Sequence, residues 1–364
     1  MKKLIGLLRR DTGDRKYIPE VDSFRFVAIA FTITYHICQK THLDLLYDSS
    51  TGWSRLNRGV QLFFVISGFV LALPFARHWL LRGKAVDLKS YMLRRLTRIE
   101  PPYLVSLLLC TLVLVLVKKQ GFHEIMPHLV ASIFYIHSLI YAALSTINPV
   151  AWSLEIEVQF YVLVPLLTLV FAIKDTKMRR GVLVVAVALL SPFAWWLNGH
   201  YRSDHSLLGT LQFFLAGFLL ADLYLLDAPK VKSYLWDVVA VVGWVLVLAT
   251  DARWWNLLMP LGTVAVYWSA FAGKLTSQIF RSRMTSIIGG MCYSIYLTHQ
   301  QIIGLVASKI HKAIVVEVVS LVLIAIFCPL SYLLIEKPCM NHDWPERLRN
   351  RIWKSQRDET IVAG

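Results

Sequence analysis

The sequence predicts an all-α polytopic membrane protein: about ten transmembrane helices, both termini cytoplasmic, and one re-entrant or interfacial segment near 127–145. Three observations lead there. The 364 residues are 56% hydrophobic and only 17% charged, with a mean hydropathy of +0.55. The apolar residues gather in blocks close to the roughly 20 residues that a helix needs to cross a bilayer. The net charge of +15 is concentrated in particular loops, which reads as topology and argues against a nucleic-acid interface.

Residues 1–16 carry six Lys/Arg around a short apolar LIGLL, too brief for a signal-peptide core, so a retained cytoplasmic segment is expected over 1–23. Asp22 or Ser23 offers an N-cap, and the first span is expected from Phe24 to Leu43. A less basic loop with Asp44, Asp48, Arg55 and Arg58 follows. The second span, Gly59 to Leu81, leads into a densely cationic loop that includes Arg94, Arg95 and Arg98, which belongs inside. Pro101 and Pro102 suit the start of a third span ending near Val117.

The stretch 127–145 is long enough to cross but holds two His, three Ser and a Pro. If it crossed, the next span, Ala151 to Ile173, would deliver Lys174, Lys177, Arg179 and Arg180 outside, so it is read as re-entrant or interfacial. Further spans are expected at Gly181–Leu197, Leu207–Leu226, Leu235–Ala249, Leu257–Ala272, Ser286–Ser308 and Ala313–Ile335. Most of the 38 Lys+Arg then fall on the cytoplasmic side. No linker-like or repeated tract separates a second domain, which leaves one membrane domain over 24–338 and a cytoplasmic tail over 339–364. The five cysteines, at unrelated spacings, form no disulfide framework or metal knuckle, and no metal is expected.

Ionisable residues within the apolar spans are the candidates for chemistry. Eleven residues separate Arg25 from His36, so on a helix they share a face about 16 Å apart, and the expectation is that they look into one cavity. Such side chains are costly in hydrocarbon and usually face a bundle interior. The plainer reading is that Arg25 snorkels and His36 is a satisfied structural histidine. Arg95 and Arg98, one helical turn apart, can form an anion site with Arg25, or can be ordinary positive-inside charge. In AWSLEIEVQFY, Glu155 and Glu157 sit in the first turns of an apolar helix, as a catalytic acid or as bundle bracing. His299 in YSIYLTHQQ reads as an interhelical hydrogen-bonder, and Glu336 and Lys337 as interface anchors.

Together the Arg-x10-His pair, GVQLFFVISGF at 59–69, RRLTRIEPPY at 94–103, WSLEIEVQFYVLVPLL at 152–167, YSIYLTH at 293–299 and SYLLIEKP at 331–338 resemble the acyltransferase 3 family of integral membrane acyltransferases. Two places depart from the family pattern: Gln61 stands where an Asp is usual, and Glu157-Val158-Gln159 where a second acid is usual. The resemblance implies transfer of an acyl group, commonly acetyl, from cytoplasmic acyl-CoA to a hydroxyl of a carbohydrate or glycosylated acceptor in a bacterial inner membrane. It carries Arg25 and His36, and Arg95 and Arg98, over as functional residues. His36 would act as general base or as transient acyl carrier, with Glu157 orienting its ring and Arg25, Arg95 and Arg98 holding the coenzyme phosphates. No appended esterase-like domain is expected. The alternative is a transporter or flippase using Arg25, His36 and Glu157 as a proton or substrate pathway.

Overall fold

The computed structural model describes residues 6–8, 10, 17–41, 52–197, 205–229, 231–248, 253–340 and 344. Most of the expected cytoplasmic segments 1–23 and 339–364, and the loop acids Asp44 and Asp48, lie outside the described residues. What is described is helical: among the described residues no strand forms beyond an isolated bridge between Ser233 and Gly273.

Helix α1, Pro19–Thr41, begins a turn before the expected start, with Pro19 at its first position and Glu20 and Asp22 in its first turn, where acids favour the helix dipole. Asp22 is therefore an inside-helix acid and not a cap. A 3-10 turn, Gly52–Arg58, leads into α2, Gly59–Leu81. Helix α3, Leu88–Leu112, extends as a π-helical turn over Val113–Val117. Asp87 caps it, accepting from the Ser90 N–H at 2.9 Å, so Arg95 and Arg98 stand inside a helix and not in a loop ahead of one.

Pro101 and Pro102 do not start α3; they lie within it. A helix-interior proline deprives the carbonyl four residues back of its partner. For Pro101 that carbonyl is Thr97, and the Trp344 indole N–H donates to it at 2.9 Å. A tertiary contact thus supplies the bond that local sequence withholds.

The 127–145 stretch breaks into α4, Phe122–Ile133, and α5, His137–Tyr141, each too short to cross. Helix α6, Trp152–Leu167, is flanked by 3-10 turns at Pro149–Ala151 and Thr168–Ala172. Then come α7, Thr176–Leu197, α8, Leu207–Leu226, α9, Tyr234–Leu248, and α10, Arg253–Ala272. The expected ninth span is interrupted: α11, Leu275–Phe280, and α12, Arg283–Gly290, precede α13, Cys292–Ala307. Helix α14, Ala313–Ser331, ends in a π turn over Tyr332–Glu336.

Six of the described helical stretches are long and apolar enough to cross a membrane: Pro19–Thr41, Arg55–Leu81, Leu88–Val117, Pro149–Ala172, Leu207–Leu226 and Ala313–Cys339. Among the described residues the remaining expected crossings do not combine that length with that hydropathy, and Tyr234–Leu248 and Leu258–Ala272 are apolar but shorter.

Helices α2 and α8 form the centre. A Cβ on Gly68 would lie 2.1 Å from the Phe214 carbonyl oxygen, and one on Gly217 2.3 Å from that of Val65, so the two backbones touch through paired glycines. Phe214 stacks on Phe160 of α6 at 3.8 Å and meets Phe64 at 4.8 Å. The break before α13 has a similar cause. A Cβ on Gly289 would come within 1.7 Å of the Asp22 carbonyl oxygen, because α12 crosses α1 at backbone contact.

Several cations expected as topology markers are structural. Arg58 and Arg55 donate to the carbonyls of Val247 and Leu248 at 2.6 and 3.2 Å, capping the negative end of α9. Arg179, 1% exposed, pairs with the fully buried Asp222, which also receives Arg180 at 2.6 Å. Removing one member of a buried ion cluster strands the others, at about 3–5 kcal/mol. Asp222→Asn is therefore expected to lower the thermal transition of the purified protein markedly, as read by a thiol-independent melting assay; an unchanged transition would remove this cluster from the account of stability.

Candidate active site

Helices α1, α2, α3, α6 and α13 line a cavity of about 100 Å³ that is partly open to solvent. Arg25 of α1 and Arg95 and Arg98 of α3 line it, with Glu157 and Tyr161 of α6, Ser67 of α2, and Cys292, Tyr293 and Tyr296 of α13. Four of the five candidate residues therefore share one wall system, and two helices supply its three arginines.

The arginines differ in their partners. Arg25 donates to Asp22 at 2.5 Å, and Asp22 also takes Arg10 at 3.0 Å. Burial lowers the Arg10 guanidinium to about 10, with Arg98 and Arg25 adding repulsion, so it stays charged at neutral pH. Arg95 and Arg98 are half-buried, and neither makes an ion pair or hydrogen bond among the described residues. Two forked cations aimed into a partly enclosed space are a ready receptor for phosphate oxygens.

Glu157 supplies the one carboxylate on the wall. Its Oε1 accepts from Ser67 Oγ at 2.9 Å and from the Tyr161 hydroxyl at 2.8 Å. Neither of these partners of Glu157 is His36. The expected pairing of this acid with the imidazole is thus not the arrangement seen.

His36 is the residue set apart. It is half-buried, off the cavity wall, and its Nδ1 lies 3.3 Å from the Gln39 side-chain oxygen. The ring faces that of His299 at 5.3 Å. Phe63 and Tyr296 line the cavity and meet each other at 6.2 Å. The far side of Tyr296 meets His299 at 5.9 Å. The Tyr296 hydroxyl is pinned by the Val150 carbonyl and lies 2.6 Å from Ser153 Oγ. Arg25 and His36 therefore share a helix but not this cavity's wall, and Tyr296 is the lining residue that reaches the histidine pair.

Two other acids and two other histidines have structural partners. Glu155 accepts from the Ser138 N–H at 2.9 Å, holding the first turn of α5. Glu336 is no interface anchor; it is fully buried and accepts from the N–H and hydroxyl of Ser294 at 2.9 and 2.7 Å, at the start of α13. His128 and His137 share an N···N contact of 2.8 Å beneath Tyr141. Gln61 is not on the cavity wall. Among the described residues no group of three His, Cys, Asp or Glu is placed to hold a metal ion.

Comparison with known proteins agrees with the motif reading. An acyltransferase domain family matches residues 18–335. A provisionally named O-acetyltransferase of Staphylococcus aureus strain COL is 29% identical over 362 residues, covering 89% of this chain and 57% of its own length. The peptidoglycan O-acetyltransferase OatA of Listeria monocytogenes is 26% identical over 332 residues, covering 80% of this chain and 50% of its own. The O-acetyltransferase OatA of S. aureus strain NCTC 8325 is 26% identical over 363 residues, with 89% and 57% covered. The chain thus spans between half and three-fifths of the length of these relatives. No solved structure matches it.

Proposed function

Since the chain belongs to the acyltransferase family that covers residues 18–335, we propose that it moves an acyl group, acetyl in our reading, from acyl-CoA to a sugar hydroxyl. The observation that carries this reading is the convergence of Arg25, Arg95 and Arg98 on one cavity, with Arg95 and Arg98 left unpaired. The arginines take the coenzyme's phosphates from the cytoplasm. Its thioester arm runs toward Ser153 and Tyr296, and Phe63 and Tyr296 give way so that the carbonyl meets His36.

There His36 takes the proton of the acceptor hydroxyl as the oxygen attacks the thioester carbon. The C–S bond breaks, and the proton follows to the departing thiolate. The related route has His36 attack first, release the thiol, and hold the acyl group as acyl-imidazole until the hydroxyl arrives. Glu157, braced by Ser67 and Tyr161, balances the arginines in this scheme and does not orient the ring. The acceptor comes from the opposite side, as an envelope carbohydrate of the kind named for the Listeria relative. Ten crossings with both ends cytoplasmic, in a bacterial membrane, fit this two-sided delivery.

The test uses the full chain in sealed vesicles supplied with acetyl-labelled acetyl-CoA and an envelope glycan fraction. Label is expected in alkali-labile ester on the glycan. Label that stays with the coenzyme while the protein is normally inserted would overturn the proposal.

A further inference from the structure

His299 is fully buried, and its Nδ1 lies 2.8 Å from the Tyr296 carbonyl oxygen and 3.1 Å from that of Ile295. Carbonyls only accept, so Nδ1 carries the hydrogen and Nε2 of the neutral ring bears the lone pair. That Nε2 is buried and has no hydrogen-bond partner. A buried acceptor without a donor is uncommon and calls for an explanation.

The donor within reach is His36. Its ring centroid is 5.3 Å from that of His299, with 42° between planes. The same molecule shows what a bonded pair looks like: His128 and His137, with centroids 5.0 Å apart and 34° between planes, hold an N···N contact of 2.8 Å. A rotation of the half-buried His36 ring that closes the same N···N contact would bring its Nε2–H to the open Nε2 of His299.

We infer that His299 positions His36 by accepting its Nε2–H, which fixes the His36 tautomer and leaves Nδ1 as the basic nitrogen. Nδ1 is the atom beside Gln39, at 3.3 Å. The Gln39 amide serves that contact equally well turned over, its NH2 donating to Nδ1, since amide oxygen and nitrogen are interchangeable in placement. An acceptor hydroxyl that displaces Gln39 meets a lone pair already oriented toward it. In the opposite tautomer two lone pairs would face each other across the His36–His299 gap. The inference rests on the proposed role of His36 as the base, and His299 itself touches neither substrate.

The test is histidine-selective 15N spectroscopy of the full chain in lipid nanodiscs, with the His36 signals identified among the eleven histidines as those lost in His36→Gln. Protonation of His36 at Nε2 is expected, and His299→Phe is expected to move it to a mixture of tautomers. Protonation at Nδ1 in the unmodified protein, or an unchanged tautomer in His299→Phe, would overturn the inference. In the labelled acetyl-CoA assay His299→Phe should lower kcat roughly tenfold to hundredfold, less than the 10²–10⁴ of a general base, with the KM for acetyl-CoA unchanged. His299→Gln, whose amide oxygen accepts the same bond, should restore most of the loss. Equal losses in both variants would assign His299 to packing alone. The Nε2–H tautomer found without any acyl transfer would leave this contact standing and sink the proposed function instead.

Discussion

Replacement of His36 by alanine is expected to lower label transfer from acetyl-CoA by roughly 10²–10⁴-fold, the range a positioned general base contributes. The reasoning is one of exclusion by chemistry as much as of placement. An acceptor hydroxyl is a poor nucleophile until its proton has somewhere to go. Of the groups near the far wall, Ser153 and Tyr296 are bonded to each other, and Tyr296 also donates to the Val150 carbonyl. Glu157 is committed to Ser67 and Tyr161. His36 is half-buried, and its side-chain contact is a long one, 3.3 Å to Gln39, so a ring nitrogen can be given over to the acceptor hydroxyl. The variant must be shown to insert and to bind donor normally. A rate equal to that of the unmodified protein would take His36 out of the chemistry.

The double substitution Arg95→Gln and Arg98→Gln should raise the KM for acetyl-CoA with little change in kcat. A hydrogen bond to a charged partner contributes about 1.5–3 kcal/mol, and the lower end applies here because both side chains remain partly open to solvent. Two such losses amount to roughly a hundredfold in KM. The kcat is expected to hold because these groups bind the coenzyme's phosphates equally in ground and transition states, which is uniform binding. Measuring initial rates across donor concentration separates the two parameters. A fall in kcat at constant KM would place these arginines at the reacting carbonyl, and no change in either would return them to positive-inside charge.

How far the sequence reached depends on whether a residue's partner is near it in the chain. The 11-residue spacing of Arg25 and His36 does place them on one helix face, as helical geometry requires. Whether they share a cavity is decided by residues that arrive from other helices, Phe63 and Tyr296 among them. Arg95 and Arg98 are legible as a one-turn pair, whereas the cavity they line is completed by residues of four other helices. Yet α3 runs on through Pro101 and Pro102, partly because an indole from Trp344 satisfies the freed carbonyl, and no local propensity contains that contact.

Buried acids show the same limit. Glu336, at the end of an apolar run, reads as an interface anchor; its partner, Ser294, is 42 residues away. Asp222 sits in LADLYLL with nothing beside it to mark the pair it forms with Arg179, 43 residues earlier. His299 was visible as part of YSIYLTH, but its missing hydrogen-bond partner is visible only in three dimensions.

The central claim is that the arginine-lined cavity receives the acyl-CoA, and Cys292 on its wall offers the most direct measurement. Of the five cysteines it alone is not buried. Its alkylation by a small maleimide, followed by mass spectrometry of the modified peptide, reports whether the cavity is filled. Acetyl-CoA is expected to slow alkylation of Cys292 in the unmodified protein and to fail to do so at the same concentration in the Arg95→Gln, Arg98→Gln variant. Alkylation at an unaltered rate with saturating acetyl-CoA in the unmodified protein would contradict the account.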